Sequence, residues 1–452
     1  MIGSEWRFCA HGGMINHGGP STWYVTDRDQ RRVISVEMAG YHECSDLHIE
    51  HLRKHIDALG TDVVAITVSP EDGALLSTST DEQDDVTDCI YYAPLETLQV
   101  PMGVRTVLRS ELQELDRLDV NVDLVSYPAT ASDNNKLCVF KYYYLWPRAL
   151  NVWKELNICM RLPAYPHIVP FDRVVLDEVN GDVVGFTARY VPGGTLIDDF
   201  ANVGGEGETK KKKNTGRVIR LAWLKQLMRT VDDLHFRYGI MHQDIAPRNL
   251  LVDLDTGLLQ LFDFDFAGRI GDVASGYNPA RSDVKGVVFT AYELITRDEH
   301  FRDVPHEEQN ADDVLSRECM PVWPQHPAVQ LDHSVEAFRA ALDAWVQVRT
   351  AEGSKQIAHY TEASAYIAAW PDLRPKVNGS EKHLLSMFCW TTRRNDIADK
   401  TTIVRWERPA QNTRQTGNGN GDGNGNGDGD GDGDGDGDGN DVCNDGKIQT
   451  QK

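Results

Sequence analysis

The sequence contains no long uncharged apolar run, no closely spaced pair of cysteines and no excess of positive charge. No stretch approaches the roughly 18 apolar residues that a membrane-spanning helix needs, and no signal-like apolar segment follows Met1. The 8 cysteines lie far apart and form no Cys-x-x-Cys pair, so we interpret them as reduced thiols. We therefore expect a soluble intracellular chain, either cytoplasmic or nuclear.

The charge balance is strongly negative. Lysine and arginine together number 46, against 69 aspartates and glutamates, and the net charge is −23. Seven of these aspartates lie between Gly417 and Asn440, where glycine alternates with Asp or Asn, so the rest of the chain is acidic as well. Because phosphate contacts need a basic surface, we expect no binding to nucleic acid or to anionic membranes. The glycine-rich run cannot bury apolar surface, and residues 409–452 are expected to form a disordered tail.

The remainder of the chain is long and apolar enough to fold. It belongs to a sequence of 452 residues that is 40% hydrophobic, which allows two or more packed cores. Residues 1–100 form an extension of unknown role, with a helix-like run over 48–59 and a strand-like run over 62–68. Residues 101–192 are strand-rich with one helix, and residues 193–408 are mainly helical. This order predicts an α+β fold with a small β-rich lobe followed by a larger helical lobe.

Three polar side chains in the second lobe have the spacing of a phosphate-handling site. Asp244 and Asn249 stand five apart, between a segment of helical periodicity and a strand-like run, and Asp263 follows another short apolar strand 14 residues later. A turn between a helix and a strand can direct a carboxylate into a cleft. Phosphoryl transfer needs one carboxylate to orient the acceptor hydroxyl, and an amide oxygen plus a second carboxylate to hold Mg²⁺. The set therefore predicts phosphoryl-transfer chemistry.

The pattern His242-x-Asp-x-x-x-x-Asn, followed by Asp263-Phe, resembles the catalytic loop and the metal-binding segment of protein kinases. The resemblance implies a two-lobed kinase-like fold that uses ATP and Mg²⁺ and acts on a protein substrate. It makes Asp244 the catalytic base, and Asn249 and Asp263 the Mg²⁺ ligands. His242 becomes a structural member of the loop.

The resemblance extends over about 105–300. Upstream, Lys141 in the run LCVFK resembles the strand lysine that holds the α- and β-phosphates, and Glu155 resembles the helix glutamate that pairs with it. Asp283 resembles the residue that anchors the catalytic loop. A later run resembles the hinge that lies against adenine, and it would place four residues there: Ala188, Arg189, Tyr190 and Val191.

Three departures from the kinase pattern affect what the chain is expected to do. No Gly-x-Gly-x-x-Gly precedes Lys141, so the flexible phosphate lid is missing and nucleotide affinity is expected to be low. Gln243 replaces the arginine that answers a phosphorylated activation loop, which makes that kind of switching unexpected. Only 20 residues separate Asp263 from Asp283, without an Ala-Pro-Glu, and this disfavours the usual peptide-docking platform.

Two further residues have candidate roles. Asp265 replaces the usual glycine two residues after Asp263, and in an extended segment both could face the cleft; Asp265 is either a further metal ligand or a residue that fixes the turn. Arg248, with Ala246, resembles the tyrosine-kinase form of the loop and is a candidate for stabilising charge on the transferring phosphate. The runs IAPRNLLV and FDFDFAGRIGD together also resemble kinase-like proteins of filamentous and mushroom-forming fungi.

Three functions remain open at this point. The first is a kinase that transfers the γ-phosphate of ATP to Ser/Thr or Tyr hydroxyls of proteins. The second is a pseudokinase that serves as a scaffold or binding module, which the missing glycine loop would allow. The third is a small-molecule kinase resembling the aminoglycoside or choline kinase type, because the segment after Asp263 is short and an acidic body could suit a cationic acceptor.

Overall fold

Three apolar cores organise the chain: one in an N-terminal module, one in a small lobe and one in a large lobe. The computed structural model describes residues 2–128, 136–199, 217–351, 355–373, 376–377, 380–381, 392–398 and 403–411. The tail that the sequence predicts to be disordered lies outside the described residues from position 412 onward. The predicted domain boundaries at 100, 192 and 408 stay predictions.

The N-terminal module is a five-stranded sheet, antiparallel except where its third and fourth strands pair in parallel. The helix predicted over 48–59 begins at Asp46 and ends at Arg53, and a short 3-10 turn follows. The strand predicted over 62–68 is confined to Ala65–Val68. The elements of the module are α1 (Ser4–Arg7), β1 (Phe8–Ile15), β2 (Ser21–Asp27), β3 (Arg32–Met38), α2 (Asp46–Arg53), β4 (Ala65–Val68) and β5 (Leu75–Ser79).

The small lobe is a seven-stranded sheet with one helix packed against it. Six strands pair in the order Arg105–Leu108, Phe171–Leu176, Asp182–Arg189, Leu137–Tyr142, Val122–Ser126 and Gln113–Asp119. A seventh, Ala93–Pro94, pairs with the first two residues of Asp182–Arg189. The combination confirms the β-rich first lobe with one helix. Its elements are β6 (Ala93–Pro94), β7 (Arg105–Leu108), β8 (Gln113–Asp119), β9 (Val122–Ser126), β10 (Leu137–Tyr142), α3 (Trp146–Arg161), β11 (Phe171–Leu176) and β12 (Asp182–Arg189).

The two faces of the small-lobe sheet differ in burial. Along β10, Phe140 and Tyr142 are buried, whereas Val139 and Lys141 are only half-buried. Because successive side chains of a strand point to opposite faces, one face of the sheet is fully covered and the other lines a cleft. The covered face needs a partner, since a single sheet cannot bury both faces by itself.

A C-terminal strap, residues 403–411, supplies part of that cover. The indole of Trp406 stacks on the ring of Tyr142, with centroids 4.9 Å apart, and its Nε1 donates to the hydroxyl of Tyr92 at 2.8 Å. Arg109 contributes its guanidinium, 4.5 Å from the Trp406 ring. The strap is thus part of the small-lobe core, although it follows the helical lobe in sequence.

The strap also joins the small lobe to the N-terminal module. Arg408 donates from Nε to the carbonyl of Asp29 at 2.6 Å and from Nη1 to the carboxylate of Asp123 at 3.0 Å. Arg31, in the turn between β2 and β3, pairs with the same Asp123 and lies 4.5 Å from the ring of Tyr142. The strap and the turn between β2 and β3 therefore both cover the outward face of the strand that carries Lys141.

The large lobe is built around three helices that pack on one another and on short strand pairs. The first of these helices continues into a π-helical turn, Leu234–Tyr238, which is capped by Gly239, whose φ of +69° is a left-handed backbone favoured by glycine. Its elements are β13 (Val218–Ile219), α4 (Leu221–Asp233), β14 (Ile240–Met241), β15 (Leu250–Val252), β16 (Leu259–Leu261), β17 (Gly268–Arg269), α5 (Asp283–Thr296), α6 (Asp312–Leu315), β18 (Gln330–Leu331) and α7 (Val335–Thr350). The short elements that follow are β19 (Lys376–Val377), β20 (Ser380–Glu381) and α8 (Arg393–Ala398), and α8 contacts the turn Glu82–Asp84.

Within these described elements, none of the helices has the length and apolar character needed to cross a membrane.

Candidate active site

The loop between β14 and β15 is held from beneath by a buried carboxylate. Asp283, at the start of α5, accepts hydrogen bonds from the backbone amides of His242 at 2.8 Å and Gln243 at 2.6 Å, and from Nε2 of His235 at 2.9 Å. Burial alone would raise the pKa of Asp283. His235 and the hydrogen bonds donated by the backbone amides outweigh the effect of burial and lower the pKa. Gln243 has a φ of +66°, so the loop turns sharply there. The anchor fixes the position of the next residue, Asp244.

Asp244 is oriented by two neighbours in its own loop. Arg248 donates from Nη2 to Asp244 Oδ1 at 2.5 Å, and Asn249 donates from Nδ2 to Oδ2 at 2.7 Å and to the carbonyl of Asp244 at 2.8 Å. The side chain of Asn249 therefore uses its nitrogen inside the loop, and its Oδ1, which accepts no hydrogen bond from the described residues, can accept one from a ligand. The guanidinium of Arg248 is half exposed at the cleft.

Across the cleft, one ammonium group bridges two carboxylates from distant parts of the chain. Lys141 Nζ lies 2.7 Å from Oε1 of Glu155 on α3 and 2.6 Å from Oδ1 of Asp263. Burial alone would lower the pKa of Lys141, but the two carboxylates outweigh it and raise the pKa. Burial raises the pKa of Glu155 to about 7 against the opposing effect of Lys141, whereas Lys141 overcomes burial at Asp263 and lowers its pKa. The structure thus brings Lys141, Glu155 and Asp263, which the sequence singled out, into direct contact.

The segment that starts at Asp263 forms a tight turn, and not the extended strand in which Asp263 and Asp265 could both face the cleft. Asp263 has a φ of +69°, and Phe264–Phe266 form a 3-10 turn. The turn is fixed from both lobes: the amide of Phe264 donates to Glu155 Oε1 at 3.0 Å, and its ring meets that of His242 with centroids 4.7 Å apart. His242 is thereby a packing and hydrogen-bonding member of the loop, since its Nε2 also lies 3.0 Å from the carbonyl of Phe262.

Asp265 has a carboxylate without a hydrogen-bond partner among the described residues. Its Oδ1 is buried, and its Oδ2 lies 4.0 Å from Nη1 of Arg148. Burial raises the pKa of Asp265, and the negative charge of Asp263 raises it further. A buried carboxylate that fixes a turn would accept backbone hydrogen bonds. Here the free oxygen favours a ligand in the cleft over a role in the turn.

The hairpin that would cover the phosphates is short. Lys141 pairs with Val122, and the amide of Tyr142 donates to the carbonyl of Asn121 at 3.2 Å, so the turn between β8 and β9 lies level with the cleft lysine. The turn residue Asn121 takes a φ of +65° in place of a glycine. The sequence lacked a glycine lid, and the described hairpin does not extend beyond Tyr142.

The predicted hinge lies at the end of β12. Ala188 pairs with Val139, and Val122 pairs with Lys141, so all three apolar side chains share the sheet face that carries Lys141. They give this face an apolar surface beside the lysine, and all three are half-buried.

The hinge backbone is only partly free. The amide of Arg189 donates to the carbonyl of Pro170 at 2.9 Å, and its side chain turns to Asp253 and Gln260 at 2.6 and 2.9 Å. The amides of Tyr190 and Val191 make no hydrogen bond within the described residues. Of the four predicted hinge residues, these last two have backbone donors available for a planar ring.

A comparison with family models matches part of each lobe. Residues 126–317 match the model described as a protein kinase domain. This part of the chain is a protein-kinase-like domain. The matched range contains the cleft lysine, the catalytic loop and the anchoring Asp283, and leaves the N-terminal module and the strap outside the match.

Curated relatives of the kinase-like domain include serine/threonine-protein kinases of a plant and an insect. The domain is similar to CBL-interacting serine/threonine-protein kinase 20 of Arabidopsis thaliana, with 32% identity over 111 residues, which is 25% of this chain and 22% of the relative. It is similar to a serine/threonine-protein kinase of Drosophila melanogaster, with 32% identity over 152 residues, 33% of this chain and 17% of the relative. A regulator of sexual conjugation and meiosis from Schizosaccharomyces pombe is 29% identical over 114 residues, 25% of this chain and 22% of the relative. The chain thus spans about a fifth of each of these relatives, and the attribution to filamentous fungi stays a prediction.

Sequence reasoning on the kinase-like domain missed how Gln243 is used. Its Nε2 donates to the carbonyls of Phe266 at 2.6 Å and Gly276 at 2.9 Å, and its Oε1 accepts from the amide of Asn278. These bonds join the first and last parts of the segment that follows Asp263. A neutral amide therefore holds this segment where many kinases use an arginine and a phosphate.

Replacing Gln243 by Ala is expected to loosen this segment. Three hydrogen bonds are lost and buried backbone groups are left unpaired, so the free energy of unfolding should fall by about 2–4 kcal/mol. Denaturant unfolding measures the loss, and hydrogen exchange over 264–280 should accelerate. Gln325→Ala is the matched control, because that exposed amide donates one hydrogen bond. An equal loss of stability in both variants, or unchanged exchange, would contradict the assigned role.

Proposed function

We propose that this chain is an ATP- and Mg²⁺-dependent protein kinase that transfers the γ-phosphate of ATP to a Ser/Thr or Tyr hydroxyl of a protein. The observation that carries the proposal is the bridge from Lys141 to Glu155 and Asp263, set across a cleft from Asp244. This arrangement brings the two lobes together around the Lys141 ammonium, whose positive charge could neutralise phosphate oxygens. An intracellular site of action, cytoplasmic or nuclear, is part of the proposal.

The side chains present fit a magnesium ion bound together with nucleotide phosphates. Hard cations take oxygen ligands, and the cleft offers the free Oδ1 of Asn249, the carboxylate of Asp263 and the unpartnered Oδ1 of Asp265. The described residues contain no group of three or more His, Cys, Asp or Glu placed to hold a metal alone. The site therefore suits an ion that arrives with the phosphates, and such an ion would neutralise their negative charge.

The loop residues supply the remaining chemistry. Asp244 would accept a hydrogen bond from the acceptor hydroxyl and orient it towards the γ-phosphate. Arg248, bound to the other side of that carboxylate, has an exposed guanidinium that would stabilise charge developing on the transferred group. Lys141 would hold the α- and β-phosphates, and Glu155 would keep Lys141 in place.

The adenine of ATP would lie against the apolar surface that Ala188, Val139 and Val122 form beside Lys141. The amides of Tyr190 and Val191 would face the ring edge, whereas the amide of Arg189 already has a partner. Because the hairpin of β8 and β9 ends level with Lys141, the phosphates would be less covered than under a glycine-rich lid. We accordingly expect micromolar or weaker affinity for ATP.

Two other functions are separated from this one by particular observations. A pseudokinase scaffold is favoured by the short hairpin, but it would not need the oriented Asp244. A small-molecule kinase is favoured by the short segment after Asp263, and it would transfer phosphate to metabolites and not to peptides. Both are distinguished from the proposed function by what is phosphorylated.

Nucleotide binding is tested by thermal unfolding with ATP, with Mg²⁺ and with both. Saturating ATP with Mg²⁺ should raise the Tm of the wild-type chain by about 2–6 °C, because a ligand at 100 times its Kd adds about 2.7 kcal/mol to stability. Lys141→Met should abolish the shift, and the exposed Lys225→Met on α4 should retain it. A wild-type chain without a shift, or a shift unchanged in Lys141→Met, would refute this nucleotide site.

A further inference from the structure

A chain of polar side chains connects α7 to the catalytic loop. It begins at Arg349, close to the end of α7 and outside the range that matches the kinase domain. The guanidinium of Arg349 pairs through Nη1 with Asp232 of α4, and its Nη2 lies 2.7 Å from Nδ1 of His235. On its other side the ring of His235 meets Asp283, with Nε2 and Oδ2 2.9 Å apart. Arg349 is thus linked, through one imidazole, to the carboxylate beneath the catalytic loop.

The partners of His235 determine where its ring carries a proton. A guanidinium has only N–H donors, so Nδ1 of His235 accepts the hydrogen bond from Arg349 and carries no proton. The ring proton is therefore on Nε2, which donates to Asp283. A second proton on the ring would face the positive charge of Arg349, and like charges repel. The contacts consequently hold His235 as a neutral imidazole with one donor and one acceptor.

Most of the chain is shielded from water. His235 and Asp283 are buried, and the side chain of Arg349 is only 11% exposed. The guanidinium also lies over two rings, 4.8 Å from the centre of Phe236 and 5.2 Å from that of Trp345. Hydrogen bonds in such surroundings are stronger than in water, and a buried partner that is lost leaves the other group unpaired. The position of His235 therefore depends on Arg349 as well as on Asp283.

Asp283 passes this restraint on to the loop. Its Oδ2 accepts from His235 and also from the backbone amide of His242, at 2.8 Å. Its Oδ1 accepts from the amide of Gln243 at 2.6 Å. Because the imidazole and one loop amide share an oxygen, the imidazole helps to set the direction of the carboxylate. The two amides that it holds come immediately before Asp244.

We propose that Arg349 is a positioning residue for the catalytic loop, which it holds in place through His235 and Asp283. It keeps the imidazole neutral and fixed, and the carboxylate then fixes the two amides before Asp244. The inference rests on the proposed function, because this loop is the one proposed to orient the acceptor hydroxyl. Since Arg349 acts through other side chains and not on the substrates, its loss should lower kcat and leave the KM for ATP nearly unchanged.

Nitrogen NMR of the full chain labelled at histidine tests the state of His235 in the wild-type protein. The His235 signals are identified by their loss in His235→Gln. At neutral pH we expect an unprotonated Nδ1 and a protonated Nε2. A protonated Nδ1, alone or together with Nε2, would overturn the inference. This measurement does not require any variant of Arg349 to fold.

Hydrogen exchange of the loop tests the link to Asp283 without turnover. The amides of His242 and Gln243 should exchange at least about 5-fold faster in Arg349→Met, because the buried chain loses a charged hydrogen-bond donor and the anchor loosens. The exchange is measured on the full chain under conditions in which the variant is folded.

Arg317→Met is the matched control for this exchange. Arg317 likewise bridges two carboxylates, those of Glu336 and Asp343, but both lie on the surface of α7 and neither belongs to the chain that reaches Asp283. The loop amides should exchange in this variant as they do in the wild-type protein. Equal exchange in Arg349→Met and Arg317→Met would overturn the inference.

Kinetics with a protein substrate test the effect on phosphate transfer. Arg349→Met should lower kcat by about 5–20-fold, with a KM for ATP within a factor of two of the wild-type value, and Arg349→Lys, which keeps a charged donor, should recover part of the rate. His235→Gln keeps a neutral donor and acceptor and should be faster than His235→Leu. Equal rates in these two variants would overturn the role assigned to the imidazole.

The same measurements separate the inference from the proposed function. An active chain whose kcat is unchanged in Arg349→Met overturns the inference and leaves the proposed function intact. A wild-type chain with the expected His235 signals and slowly exchanging loop amides, but without phosphate transfer, supports the anchor and refutes the proposed kinase activity.

Discussion

Replacing Asp244 by Asn should lower the rate of phosphate transfer by about 10²–10⁴-fold, the range typical of a lost general acid or base. The carboxylate now accepts from Arg248 on one oxygen and from Asn249 on the other. In the variant one of these donors faces an amide nitrogen, so the acceptor hydroxyl loses its partner and the loop loses a hydrogen bond. The measurement is the initial rate of labelled phosphate transfer at saturating ATP.

The control for this variant is Asp255→Asn. Asp255 is an exposed carboxylate in the turn between β15 and β16 and takes no part in the cleft. We expect the control to transfer phosphate at the wild-type rate, and both variants to bind ATP as the wild-type chain does. A rate for Asp244→Asn within a factor of two of the control would rule out its role as the catalytic base.

Replacing Trp406 by Ala should lower the free energy of unfolding by about 3–5 kcal/mol, as for other buried tryptophans. Its ring is 7% exposed and stacks on Tyr142, and its Nε1 holds the hydroxyl of Tyr92. Truncation would leave a cavity against the strand that carries Lys141 and would remove the donor to the Tyr92 hydroxyl, which keeps only its own hydrogen bond to the carbonyl of Tyr143. Denaturant unfolding of the full chain gives the size of the loss.

The same variant should also affect the cleft, because Tyr142 and Lys141 are neighbours on opposite faces of β10. We expect a higher KM for ATP with a smaller change in kcat at a temperature where the variant is still folded. Trp6→Ala is the matched control, since that indole is 62% exposed and its loss should change stability by less than about 0.5 kcal/mol. Similar losses in the two variants would mean that the strap does not support the small lobe.

The sequence predicted those parts of the site that depend on local spacing. Asp244 and Asn249 are in contact because the loop between β14 and β15 has a fixed length. The conformation of this loop can be predicted from the order of its residue types. The contact between Lys141 and Glu155 followed from the resemblance to kinases, in which one strand and one helix bring these residue types together. The roles of these residues stay predictions until activity is measured.

Other features depend on contacts between segments that are distant in sequence, and local sequence patterns do not predict such contacts. The strap is nine residues without helix or strand periodicity, and its place against Tyr142 follows from long-range pairing of Arg408 with Asp123. The order of Asp and Phe after Asp263 did not show whether that segment is extended or turned. In the structure it is a turn, and the amide of Phe264 donates to Glu155, a residue 109 positions earlier.

The composition of the chain did not predict the charge at individual sites either. A net charge describes the whole surface, whereas ligands meet the few groups that are left unpaired at a site. In the described part of the chain many arginines have carboxylate partners, for example Arg117 with Asp29 and Arg408 with Asp123. The cationic acceptor suggested by the acidic composition stays a prediction.

The most direct test of the proposed kinase activity is incubation of the full chain with ATP labelled on the γ-phosphate, Mg²⁺ and a mixture of protein substrates, next to Asp244→Asn. We predict incorporation of label into protein by the wild-type chain, abolished by chelation of Mg²⁺ and reduced by at least about 10²-fold in the variant. Equal incorporation by both chains, or no incorporation by a wild-type chain that binds ATP, would contradict the account.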